Sequence, residues 1–319
     1  LLPSSATKTK ERRKHFHSKD LREALTGIAF VAPFILAFTL VFLIPIIVSI
    51  RQSFFRKLPS GGGVYGGGEL EDTFVGMTNY QEVVTNTHFW DGIGRVVGYA
   101  LFQIPVMIFL ALALALLIDS QVIRRVTIFR LGNFLPYAIP GIVAAMVWLY
   151  LYTPEISPIV KGLESIGLHV DFMSRTMMLP SMANMTTWTY TGYNMLIFLA
   201  ALNSIPEELY EAARIDGASA WQIVYKIKIP LVSGAALLAI LLSIIGTIQL
   251  FNEPVVMQTA NPWMGNDYTP MMMAYNTMMG SITPSGDGPA SAVSIVMALI
   301  AGTLAAVYAL LQTKVASNE

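Results

Sequence analysis

The sequence predicts an all-α membrane protein with six transmembrane helices. Two observations carry that reading. Of the 319 residues, 54% are hydrophobic and only 13% charged, where a soluble chain usually carries about twice that share of charge. Mean hydropathy is +0.58, and six runs reach the ~20 mostly apolar residues that a membrane helix requires. They cover about 25–50, 93–118, 127–152, 177–202, 231–251 and 290–312.

The first run follows a basic arm, residues 1–24, with Lys8, Lys10, Arg12, Arg13, Lys14, Lys19 and Arg22. A cationic start before an apolar run suits a signal peptide. Here the run is too long and no small-residue cleavage site follows, so a retained first span is the better reading. Residues 60–68 read SGGGVYGGG, a flexible linker composition. It suits either a mobile gate or an untethered loop tip, and the tip is favoured because glycine runs rarely bind without a following helix.

The second, fifth and sixth runs are clean. The third carries Pro136 and Pro140, a break membrane helices tolerate when neighbours satisfy the freed carbonyls. The fourth is the most polar, with Asn184, Thr186, Thr187, Thr189, Thr191 and Asn194. With the N-terminus inside, inner segments hold 14 Lys and Arg against five in the outer loops, and Arg95 sits at a mouth. Both termini are therefore expected in the cytoplasm. The last outer loop, 252–289, is proline-rich and reads as an irregular cap. Its methionines, Met271–Met273 with Met278 and Met279, read as loop core in preference to a metal site.

Several chemistries are excluded. The chain has no cysteine, so disulfides, thiolate catalysis and cysteine-held metals drop out. Its four histidines lie outside the apolar runs. No P-loop run is present, so ATP is not bound that way. A net charge of zero gives no case for nucleic acid. No nucleophile–base pair or metal cluster supports a membrane enzyme.

Residues 204–230 (SIPEELYEAARIDGASAWQIVYKIKIP) are too polar for lipid and too patterned for a tether. Ser204 with Glu207 predicts one capping box, with Pro206 in the first turn, and a helix over 207–215. Gly217 predicts a left-handed stop. Ser219 with Gln222 predicts a second box and a helix over 220–227. Glu207, Glu208, Glu211 and Asp216 surround the small Ala212 and Ala213. Such an acidic helix suits a protein partner better than anionic lipid.

The polar set of the fourth and fifth runs offers a path. Tyr190, Thr191, Tyr193 and Asn194, with Ser243, Thr247 and Gln249, supply the hydroxyls, amides and aromatic faces a sugar needs. Interhelical hydrogen bonding is the alternative use of each. No charge is expected deep in a span, with Asp119 and Glu253 at span ends. That disfavours a proton- or sodium-coupled carrier and suits a neutral solute. Arg95 and Arg175 near the outer mouth leave a glycerophosphodiester or acidic oligosaccharide open.

Glu211-Ala212-Ala213, three residues, Gly217, nine residues, then Ile227-x-Ile229-Pro230 resembles the EAA loop of binding-protein-dependent ABC importer permeases. Ile229 stands where the family pattern has leucine. The fuller run YEAARIDGAS, and Phe74-Val75-Gly76 followed by Asn79-Tyr80, resemble the carbohydrate-uptake branch, the maltose and glycerol-3-phosphate permease type, and its first of two permeases. The resemblance implies the following. The chain is half of a pseudo-symmetric pore completed by a second permease subunit. Two ATP-binding subunits, which carry the ATP and magnesium, each accept one EAA helix, here Glu207, Glu211, Ala212, Ala213, Asp216 and Gly217. An extracytoplasmic solute-binding protein delivers the solute. The chain itself is no enzyme, needs no cofactor, and lies among lipid in a bacterial cytoplasmic (inner) membrane.

Overall fold

The computed structural model describes residues 5–60, 69–120 and 123–316, with side chains over 22–59, 69–120 and 123–310. The glycine-rich run and the side chains of Lys8 to Lys19 therefore lie outside the described residues. Helix α1 (Ser5–Phe38) passes through a π turn, Thr39–Leu43, into α2 (Ile44–Gln52). Residues 22–52 thus form one apolar rod, and none of its most apolar window is buried.

Two short strands follow, β1 (Phe55–Ser60) and β2 (Glu69–Phe74), antiparallel with Phe55 opposite Phe74. They are a local departure from the all-helical expectation. Helix α3 (Thr78–Thr85) closes the unit. Buried Asn79 fixes it. Its Oδ1 accepts from Arg56 Nε at 3.0 Å and Nη2 at 2.6 Å, and its Nδ2 donates to the carbonyls of Ser53 (2.8 Å) and Phe55 (3.0 Å). The Tyr80 hydroxyl meets Ser53 Oγ at 2.6 Å. The Asn-Tyr pair that follows Phe-Val-Gly therefore pins the hairpin to the end of α2.

Helix α4 (Thr87–Asp119) starts where the Asn86 side chain accepts from the His88 N–H at 2.9 Å. The third apolar run is not one helix, contrary to expectation. Helix α5 (Val126–Phe134) and a 3-10 turn, Leu135–Ala138, lie at 99° to α6 (Gly141–Tyr152). Pro136 and Pro140 each lack an N–H, and extended Pro140 ends any continuous ladder. Helix α7 (Pro158–Ser165) leads to α8 (Met178–Asn203).

Next come α9 (Glu207–Ile215) and α10 (Ala220–Ile223), a π turn Val224–Lys228, α11 (Ile229–Leu231) and α12 (Ser233–Ile248). The helix expected over 220–227 is thus one α turn that widens into π geometry. The whole stretch 220–231 meets α12 at 56°. Helices α13 (Asn252–Ala260) and α14 (Pro270–Met278) order the last loop, and α15 (Asp287–Ala316) ends the fold. Among its methionines, Met272 and Met273 are buried, whereas Met278 and Met279 are exposed.

By length and composition, three described helices suffice to cross a membrane: 22–52, Thr87–Asp119 and Asp287–Leu310. Counting each of the two bent pairs as one span brings the number among the described residues to five. Helix α8 is long enough to cross but more polar than these, and Ser181, Thr187, Thr189, Thr191 and Asn194 are buried in it.

Helices α4 and α8 make the central pair. Ala111 and Ala115 of α4 admit Met195, Phe198 and Leu202 of α8, and Ala239 of α12 joins them. At Gly192 the α8 backbone meets α5 directly. A methyl there would fall 1.8 Å from the Asn133 carbonyl oxygen.

Candidate functional site

Helices α4, α8 and α12, the turn before α6 and the start of α13 enclose a cavity of about 260 Å³. Its floor on α4 is Tyr99, Gln103 and Met107. Six of the seven residues read as a path from the sequence line it: Tyr190, Tyr193, Asn194, Ser243, Thr247 and Gln249. Thr191 does not. It is buried on another face of α8, and its hydroxyl donates to the Thr187 carbonyl at 2.6 Å.

One wall is aromatic. Tyr137 stacks on Tyr193 with centroids 4.7 Å apart and meets Tyr190 edge-on at 5.7 Å. The Pro136 turn carries Tyr137 there. Without that turn the ring would lie along a straight helix, and the sequence reading missed it. Polar groups share the lining with this wall. Asn194 Nδ2 donates to the Tyr190 carbonyl at 3.0 Å, and Ser243 Oγ donates to Ala239 at 2.7 Å. Both therefore serve helix backbone in this state, while Gln249 stands exposed at the rim.

Glu253 lies where the sequence placed it, just past the end of α12 in the first turn of α13. It lines the cavity, and Thr186 Oγ1 donates to its Oε1 at 2.9 Å. Tyr99 donates in turn to Thr186 at 2.6 Å. Arg95 and Arg175 lie elsewhere. Arg95 donates to the Tyr268 carbonyl at 3.1 Å and covers the Tyr268 ring at 4.7 Å, and Arg175 covers Trp263 at 5.1 Å. Among the described residues, no group of three His, Cys, Asp or Glu suits a metal ion.

The second candidate surface is the 204–230 segment. The first capping box does not form. Ser204 still closes α8, and its hydroxyl donates to the Ala201 carbonyl at 2.7 Å, so Pro206 caps α9 instead. The second box forms as expected: Ser219 accepts from Gln222 N–H, and Gln222 Oε1 accepts from Ser219 N–H at 2.7 Å. Between them Gly217 takes φ +81°. Its N–H bonds the Arg214 carbonyl and the Ala218 N–H bonds the Ala213 carbonyl, a Schellman stop.

Glu207, Glu211, Ala212, Asp216 and Gly217 are exposed and Ala213 half-buried. Ile215, Trp221 and Tyr225 stand out beside them, each more than 70% exposed. Exposed apolar side chains clustered in this way are a feature of interaction surfaces in general.

A charge contact that the sequence did not reveal anchors this surface. Lys228 pairs with Asp119 at the end of α4, and both side chains are mostly covered. The Lys228 ammonium also lies 4.9 Å from the Tyr210 ring of α9. Burial, then the nearby Asp119 charge, push the Tyr210 phenol upward from its ordinary value. Helix α4 thus joins the two surfaces, with Tyr99, Gln103 and Met107 at the cavity and Asp119 beneath α9.

A family model described as a binding-protein-dependent transport system inner membrane component matches residues 84–317. The arabinooligosaccharides transport system permease protein AraP of Halalkalibacterium halodurans is 31% identical over 232 residues, covering 71% of this chain and 69% of that protein. The sn-glycerol-3-phosphate transport system permease protein UgpA of Pectobacterium atrosepticum is 30% identical over 179 residues, covering 55% of this chain and 60% of that one. A chain of a bacterial ABC transporter that imports the acidic polysaccharide alginate shares the fold, with TM-score 0.70, 19% identity, and 93% and 98% of the two chains covered.

Proposed function

Because the chain belongs to the binding-protein-dependent transport system inner membrane components, we propose that it is the permease subunit of an ATP-driven importer for a sugar or oligosaccharide. The cavity carries this reading. A tyrosine wall in one cavity with amides and hydroxyls offers ring faces for the apolar side of a sugar and partners for its hydroxyl groups. The similarity to an arabinooligosaccharide permease supports the same class.

On this reading the three long helices, the two bent pairs and α8 make six spans. Both termini lie on the cytoplasmic side, and α9 is a coupling helix. Glu207, Glu211, Ala212, Ala213, Asp216 and Gly217 contact one of two ATP-binding subunits, which hold the ATP and magnesium. A second permease completes the path, and a solute-binding protein delivers from outside. Tyr190, Tyr193, Asn194, Ser243, Thr247 and Gln249 contact the solute in transit. Thr191 acts within α8.

The second reading, a glycerophosphodiester or acidic oligosaccharide, draws on the similarity to the glycerol-3-phosphate permease. The cavity favours the first, since it presents a carboxylate and no cation.

Uptake by proteoliposomes holding the assembled importer tests the reading. Asn194→Ala with Thr247→Ala is expected to raise KM for a neutral oligosaccharide severalfold. Gly217→Glu is expected to abolish co-purification of the ATPase. Unchanged KM in the first variant removes the path, and an intact, sugar-stimulated ATPase complex in the second removes the coupling contact.

A further inference from the structure

The cavity lining is electrically one-sided. Glu253 is its one charged residue, and no Lys, Arg or His joins it. Glu253 makes no ion pair among the described residues. The nearest arguments for a cation, Arg95 and Arg175, are held against Tyr268 and Trp263.

The carboxylate is also oriented. Tyr99 donates to Thr186, and Thr186 donates to Oε1. This chain of donors fixes the carboxylate against α8 while leaving it on the cavity surface. Burial pushes the Glu253 carboxyl upward from its ordinary value, against hydrogen bonds from backbone and from Thr186 that lower it; in its ionised form it accepts and does not donate. It is suited to paired hydroxyls, as two neighbouring groups on a sugar ring present them. It opposes any anion, because like charges a few ångström apart in a partly dry site repel strongly.

We propose that Glu253 is a specificity-determining residue of the translocation path: it accepts sugar hydroxyls and turns away anionic saccharides such as uronides and phosphorylated sugars. The inference rests on the sugar-path reading above and narrows it to uncharged or cationic saccharides. Discrimination by a repelling group is a common way to sharpen a pocket that many sugars fit.

The test uses the assembled permease pair with its ATPase subunits in detergent, without the binding protein, so that only the path is probed. Arabinotriose and trigalacturonate are titrated by isothermal calorimetry. The wild type is expected to bind arabinotriose at least tenfold more tightly. Glu253→Gln keeps an acceptor for Thr186 and is expected to shrink that ratio at least fivefold by strengthening trigalacturonate. Gln249→Glu, at an exposed rim position, is expected to widen it. A ratio unmoved in both variants overturns the proposal alone. Failure of the wild type to bind either sugar overturns the sugar path together with it.

Discussion

The rod of residues 22–52 and helix α8 have opposite fates. The rod's best window has a mean hydropathy of 2.8, and none of it is buried in this chain. Helix α8 carries Thr186, Thr187, Thr189, Thr191 and Asn194, yet 14 of its 26 residues are buried. In water the polar helix would be outside. In lipid the order reverses, because the surroundings are as apolar as leucine and polar side chains gain by facing protein. Helix α8 satisfies two of its buried hydroxyls on its own backbone. Thr189 donates to Met185 and Thr191 to Thr187. The rod carries an aromatic ladder of its own, Phe34–Phe38–Phe42, stacked at 6.0 and 5.6 Å. Polarity thus marks the interior in α8, whereas hydropathy alone does not mark the rim, since the best window of α4, at 2.7, is a third buried.

Paired substitutions can break this contrast. The largest effect is expected at glycine. Gly192→Ala drives a methyl into the Asn133 carbonyl and should cost about 3 kcal/mol. Gly27→Ala in the rod meets nothing within 4 Å and should stay within about 0.5 kcal/mol. Thermal unfolding of the solubilised chain reads both, and equal losses would end the contrast.

Next is the covered charge pair. Asp119→Asn leaves Lys228 without its partner and should cost about 2 kcal/mol, since stranding one member of a covered pair is costlier than losing both. Adding Lys228→Met should recover part of it. A double-mutant cycle with no coupling would show the pair to be solvated. If α4 transmits between the two surfaces, ATP hydrolysis in the single variant should also lose its dependence on sugar.

Two threonines on α8 separate cavity from core. Thr186→Val removes the donor to Glu253 and should raise the KM for uptake about threefold. Thr191→Val removes only an intrahelical bond and should leave KM unchanged. A shift at Thr191 would place it on the path after all. The smallest effect belongs to the ladder. Phe38→Leu should change the unfolding temperature of the isolated chain by less than a degree. A larger loss in the assembled complex than in the isolated chain would show that a partner covers the rod.

The elements that could be read in advance depend on neighbours in sequence. Gly217 and the Ser219–Gln222 box are short-range devices, and both took the expected form. Six of the seven polar path residues share one cavity because i, i+3 and i, i+4 spacing sets faces within a helix. What escaped depends on distance. Glu253 meets Thr186 across 67 positions, and Lys228 meets Asp119 across 109. Neither has a local signature. Ser204 failed as the cap of α9 because it closes α8 instead, a competition between two helices for one residue. Tyr137 escaped because the 99° bend that aims it depends on how much of the ladder two prolines remove.

The length of α4 has a consequence of its own. Its 33 residues amount to about 50 Å of helix, against about 30 Å of hydrocarbon. The surplus must appear as tilt or as turns standing in the headgroup layers. Contacts in its first three turns, Arg95 with Tyr268, and at its last residue, Asp119 with Lys228, limit how far it can lean. Bilayer thickness therefore becomes a mechanical variable for this protein, felt at both ends of one rod, and lipids of different acyl length should tune its turnover without touching a single side chain.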